Sequence, residues 1–131
     1  MSHQIRFGGD PEDLLITTSG TASVEGLDAM VQAGLGDDRY RSGMRVLIDH
    51  SRLEWPDLAT DQLRRRADLI VRDSERIGRS YVAVVVSQPV AYGFGRMMLA
   101  FGADRIEFEP RLFYSIDEAR AWLAQMPALE G

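Results

Sequence analysis

The run Tyr81-Val82-Ala83-Val84-Val85-Val86 constrains this chain more than any other stretch. It is β-branched and has no polar alternation. That predicts a strand covered on both faces, near the middle of an α/β sheet. Ser87-Gln88-Pro89 interrupts the run, and from Val90 the apolar spacing becomes helical through Phe94, Met97, Met98 and Phe101. Pro89 suits the first turn of that helix, where its missing N–H costs nothing. Gly93 and Gly95 fall inside it, where a glycine costs about 1 kcal/mol relative to alanine. Close packing on the sheet is the preferred reason for them, and approach of a ligand or partner backbone is the alternative. Gly93-Phe94-Gly95 lacks the third glycine of a dinucleotide fingerprint.

Other elements can be placed around this unit. Ile5-Arg6-Phe7 and Leu14–Thr18, separated by the turn-rich Gly8–Asp13, predict an N-terminal hairpin. Ser23 is a candidate N-cap for a helix whose face is Val24, Leu27, Val31 and Leu35. Met44–Asp49 predicts a strand, followed by a loop from His50 to Trp55. Pro56-Asp57 introduces the longest helix, with Asp57 as its expected cap. Leu63, Ala67, Ile70, Ser74 and Ile77 form its inner face, Arg65, Arg72 and Arg76 the opposite one, and Gly78 its end. A last strand is expected at Ile106–Glu109, with a possible continuation at Leu112-Phe113; Pro110 suits an edge position. Ser115 and Glu118 form a capping-box pattern before a final helix with Ile116, Ala119, Leu123 and Met126 inward. Strands alternating with helices predict one α/β domain over residues 1–131, with a mainly parallel sheet of four or five strands built from βα units after the hairpin.

Bulk properties narrow the function classes. A formal charge of -5 argues against general nucleic-acid affinity. The absence of cysteine removes disulfides and thiolate chemistry and fits a reducing compartment. No apolar run reaches the roughly 20 residues that a membrane span needs, and Met1-Ser2-His3-Gln4 has no signal-peptide character. A cytoplasmic protein that is not integral to a membrane is expected.

Leu47-Ile48-Asp49 before a long helix, Val82–Val85 before Tyr92-Gly93, Arg96-Met97, and Asp117-Glu118-Ala119 before Trp122-Leu123 together resemble the SpoIIAA-like proteins. These are bacterial relatives of the STAS domain, and the likeness runs from Leu14 to Leu123. It implies a compact domain of βα units and relatives that act by binding: sigma-factor regulators, transporter tails and lipid carriers of the Sec14 type. The resemblance places Asp57 or Thr60 near the position of the phosphorylatable serine of classical antagonists. No serine stands in Trp55-Pro56-Asp57-Leu58-Ala59-Thr60, which speaks against a kinase-controlled switch.

Among single residues, His50 lies beside Asp49 and Ser51. Neighbours on a strand point to opposite faces, so adjacency does not make a triad. A surface-loop histidine is the preferred reading and a ligand contact the alternative. Arg64-Arg65-Arg66, Arg72, Arg76 and Arg79 are offset by Asp61, Asp68, Asp73 and Glu75, and read as a solvated helix face laced with ion pairs. Trp55, Tyr92, Phe94, Met97, Met98 and Phe101 are core or the lining of an apolar pocket. Tyr92 and Arg96, four apart, share a helix face; Arg96 offers a planar fork for a carboxylate or phosphate, or pairs with Asp49. No nucleophile–base pair, cofactor motif or metal-ligand pattern stands out. The reading is a non-enzymatic binding or regulatory domain that recognises a protein partner through Asp49, His50, Trp55, Asp57, Thr60, Tyr92 and Arg96. The alternative is a carrier for a small apolar ligand or lipid beneath the helix that follows Pro89. A homodimer through Met98 and Leu99 is also expected.

Overall fold

The computed structural model describes residues 1–129. Five strands form one sheet in chain order: β1 (Ser2–Phe7), β2 (Leu14–Thr21), β3 (Arg45–Glu54), β4 (Tyr81–Val85) and β5 (Glu109–Phe113). The first pair is antiparallel and the rest are parallel. Four helices cover it: α1 (Val24–Leu35), α2 (Thr60–Ile77), α3 (Pro89–Gly102) and α4 (Ile116–Ala124). No helix among the described residues is long and apolar enough to cross a membrane.

The apolar run becomes β4, hydrogen-bonded to β3 on one side and β5 on the other, with Arg45 opposite Tyr81 and Asp49 opposite Val85. Alternation along the strands splits the core. One face carries Leu14, Ile16, Val46, Ile48 and Val82 toward α1, α2 and α3. The other carries Leu47, Ala83 and Val85 against Ala119, Trp122 and Leu123 of α4. Leu47 and Leu123 are fully buried; each contributes on the order of 2 kcal/mol by leaving water.

Local signals hold at several ends. The Ser23 hydroxyl accepts from the Gly26 N–H at 2.9 Å, and Ser115 accepts from Glu118 at 3.3 Å. Gly78 ends α2 with φ of 72°, and a side chain there would collide with Ser42.

Other expectations are corrected. β3 does not stop at Asp49. It continues to Glu54 because β2 goes on pairing with it through Ser19–Arg52, Gly20–Leu53 and Thr21–Glu54, past an irregularity between Thr17 and Ser19. Polar residues of an exposed strand end look like a loop in sequence. The helix α2 begins at Thr60, so Asp57 is not its cap. The cap position is Ala59, whose N–H donates to Gln62 Oε1 at 2.9 Å. The last strand is Glu109–Phe113 and contains Pro110, which an edge strand tolerates.

The inward face of α3 is also rotated from the one the large apolar residues mark. Ala91, Gly95 and Gly102 are buried, whereas Val90 and Met97 are 47% and 40% exposed. A Cβ on Gly95 would sit 2.9 Å from the Leu112 methyls, so the small residues let the helix lie close to β5. Close packing therefore accounts for Gly95 but not for Gly93, which faces open space.

Candidate functional site

The carboxyl ends of β3 and β4 lie where α2 begins and α3 departs. His50 is on β3, not in a surface loop as expected, and is only 4% exposed. Asp49 points to the other side, in the manner of adjacent strand residues, and its Oδ1 accepts from the Ser51 N–H at 2.9 Å. His50 Nδ1 is 2.6 Å from Thr18 Oγ1, which is also 3.3 Å from the Asp49 carbonyl. Burial, aided by the Arg66 charge and opposed by Asp49, pushes the His50 pKa down from 6.5 to about 3. The ring is neutral at pH 7.

Trp55 follows β3 and packs edge-on against His50, with centroids 5.7 Å apart, and against Phe94 of α3 at 6.4 Å. Its indole Nε1–H is buried and has no acceptor among the described residues. Arg66, in the second turn of α2, is 5% exposed, and its Nη1 is buried with no partner among the described residues. Burial lowers its pKa to about 10, so it stays cationic, and the charges of Asp28 and Asp73 support that state. Those carboxylates are already occupied. Asp73 accepts from Gln32 at 2.8 Å and from Arg72 at 3.0 Å, and pairs with Arg76 at 3.6 Å. Asp28 accepts from Arg72 at 2.9 Å.

His50, Trp55 and Arg66 line the same cavity, about 140 Å3, between the sheet and the helices α1, α2 and α3. The rest of its wall is almost entirely apolar and includes Met30, Ile48, Ile70, Val84, Met98 and Leu99. Arg66 thus sits at the polar end of an apolar chamber. Among the described residues no group of three or more His, Cys, Asp or Glu is arranged to hold a metal ion.

The remaining sequence-predicted residues lie outside the chamber. Tyr92 is half-buried and stacks on Tyr114, with rings 4.7 Å apart and 10° from parallel. Arg96 is exposed and makes no ion pair or hydrogen bond among the described residues; the pairing with Asp49 does not form. Asp57 and Thr60 are exposed. Geometry thus joins His50 and Trp55 but leaves Tyr92, Arg96, Asp57 and Thr60 at the surface.

Sequence reasoning missed Arg66. The arginine row is indeed largely an ion-paired surface: Arg65 meets Glu25 at 3.1 Å, Arg72 meets Asp28, and Arg64 roofs the Phe101 ring at 4.7 Å. Arg66 is different because it falls on the inner stripe, three after Leu63 and four before Ile70. That spacing was the available signal.

A search of solved structures finds an uncharacterized protein of the DUF3478 family from Shewanella loihica PV-4, described as having a SpoIIAA-like fold. It is 17% identical, with a TM-score of 0.57, over 93% of this chain and 92% of that one. The chain has a SpoIIAA-like fold. No protein-family model matches the sequence, and no curated protein matches it. The SpoIIAA-like likeness therefore supplies an architecture and no chemistry.

Proposed function

We propose that this domain is a non-enzymatic binding module that takes a small, largely apolar molecule into the chamber beneath α3. The carrying observation is the pairing of an apolar cavity with buried donors that have no acceptor among the described residues. Buried polar groups are nearly always hydrogen-bonded, and exceptions point to a missing ligand, ion or water. A cavity of this kind with a few convergent polar groups is the usual form of a small-molecule site. Its polar part, at His50 and Trp55, lies just past the carboxyl end of β4, the customary binding edge of open α/β sheets, and its apolar lining runs back along the sheet face to Val46 and Val82. Native mass spectrometry of gently purified protein tests the reading. A bound small molecule in one-to-one ratio is expected; protein that never carries or takes up one contradicts it.

A second reading, recognition of a protein partner, is favoured by the outer surface of α3. Val90, Met97 and Tyr114 are large, apolar or aromatic, and exposed, and Arg96 on the same helix is free to pair. The ligand reading ranks above it because scattered exposed apolar residues are ordinary, whereas a buried guanidinium without a partner is not.

A further inference from the structure

We infer that the molecule bound in this chamber carries a single carboxylate, gripped by the Arg66 guanidinium and the Trp55 indole N–H, with a hydrocarbon body of about six carbons lying beneath α3. The inference rests on the small-molecule reading above and specifies its ligand.

The head group follows from donors and charge. Arginine has N–H donors and no acceptor, and indole has one donor and no acceptor. Each has a buried donor atom, Nη1 and Nε1, with no acceptor among the described residues. The complement is an acceptor, and beside a cation it is an anionic one. A water molecule would satisfy a hydrogen bond but would leave the charge of Arg66 in apolar surroundings. Arg66 remains protonated at neutral pH and His50 does not, and Arg111, also in the lining, holds its guanidinium over Phe113 and Trp122 on the α4 side, so Arg66 brings the one unpartnered positive charge to the chamber among the described residues. Asp28 and Asp73, although bound by Arg72, Arg76 and Gln32, keep the neighbourhood short of further positive charge. One carboxylate balances Arg66; a phosphate monoester, nearly dianionic at pH 7, would not be balanced.

The body follows from the wall. Ile70 and Ile77 continue along α2 from Arg66, and Met30, Ile48, Val84 and Met98 close the other sides. None offers a side-chain hydrogen bond, so the part of the ligand beyond its head is hydrocarbon. The volume of about 140 Å3 is close to that of an engineered apolar cavity, about 150 Å3, that admits benzene. A six-carbon chain or a single ring fits, and a long lipid chain does not.

Calorimetric titration with hexanoate and with 1-hexanol tests this, using the wild type, Arg66→Met and Trp55→Phe. The ratio of the two affinities is the readout, because a change in cavity shape affects both ligands. Hexanoate is expected to bind the wild type at least about tenfold more tightly than the alcohol, and Arg66→Met to abolish that preference while still binding 1-hexanol. Trp55→Phe should reduce the preference about threefold to tenfold. Equal binding of both ligands, unchanged in the variants, overturns the carboxylate while leaving the apolar chamber intact. Failure of both ligands to bind the wild type overturns the carboxylate and the small-molecule reading together. If Arg66→Met does not fold, Trp55→Phe decides alone: a preference equal to that of the wild type overturns the inference.

Discussion

On the α4 side of the sheet Glu12 is buried and paired; on the α1–α3 side Arg66 is buried and, among the described residues, unpaired. Glu12 Oε1 accepts from Arg120 Nε of α4 at 2.8 Å and Oε2 from the same nitrogen at 3.3 Å. On that side of the sheet, Ala83 and Leu47 are fully buried and Trp122 is 7% exposed. Around Arg66 there is a chamber instead. A fold that needs a buried charge for its own stability supplies the counter-charge, as with Glu12. At Arg66 the nearest carboxylates, Asp28 and Asp73, offset the charge without bonding to it, so burial of that charge costs stability.

The largest expected effect is on the paired side. Arg120→Met leaves the Glu12 carboxylate buried without its cation and should lower unfolding stability by about 3 kcal/mol, read by urea denaturation. The value is at the low end because Arg120 is itself 37% exposed and water can reach the site. No loss would break the comparison at its first half.

His50 sharpens the other half through pH. Its folded pKa is depressed, so the unfolded chain binds the proton first as pH falls. The penalty is absent above the ordinary pKa of 6.5 and grows between 6.5 and about 3. Within that window the single group should remove about 1.4 kcal/mol per pH unit. His50→Gln should flatten this part of the stability–pH curve. An unchanged slope would show that His50 is accessible to water.

Arg66→Met should move stability in the opposite direction from Arg120→Met. It keeps much of the buried stem and removes an uncompensated charge, so stability should rise by about 1 to 2 kcal/mol. A thermal melt reads it as an increase of roughly 4 to 7 °C. A fall of the size expected for Arg120→Met would mean that Arg66 already has a partner.

The smallest effects test how α3 lies on the sheet. Gly93→Ala should raise stability by about 0.5 to 1 kcal/mol, since the side chain enters open space in a helix. Gly95→Ala should not share that gain, because its methyl meets Leu112. Equal gains at both positions would show that α3 stands off β5, and would enlarge the chamber.

Much of the architecture was legible because apolar periodicity and burial say the same thing along β4 and α2. The end of β3 was not. Ser51, Arg52 and Glu54 are exposed, and pairing with β2 is a non-local fact. The orientation of α3 was hidden because its buried stripe is made of Ala91, Gly95 and Gly102, which carry no hydrophobic signal, while Val90 and Met97 point outward. In the candidate site, His50 and Trp55 drew attention because they follow the Met44–Asp49 run, but the burial of His50 on β3 was not legible, since a surface loop was expected there. Arg66 was masked by its arginine neighbours, although its spacing from Leu63 and Ile70 placed it inside. The open hydrogen bonds of Arg66 and Trp55 are three-dimensional facts with no trace in sequence.

The chain has two tryptophans, one on each side of the sheet, and this makes the account directly measurable. Trp55 lines the chamber and its Nε1–H has no acceptor among the described residues, while Trp122 packs between Phe113 and Tyr81 on the α4 side. The measurement is a nitrogen–proton correlation spectrum of the two indoles during titration with hexanoate. The account predicts that the Trp55 indole proton moves downfield to saturation as it gains an acceptor, and that the Trp122 signal stays in place. A stationary Trp55 signal through millimolar hexanoate, or a shift confined to Trp122, would contradict it.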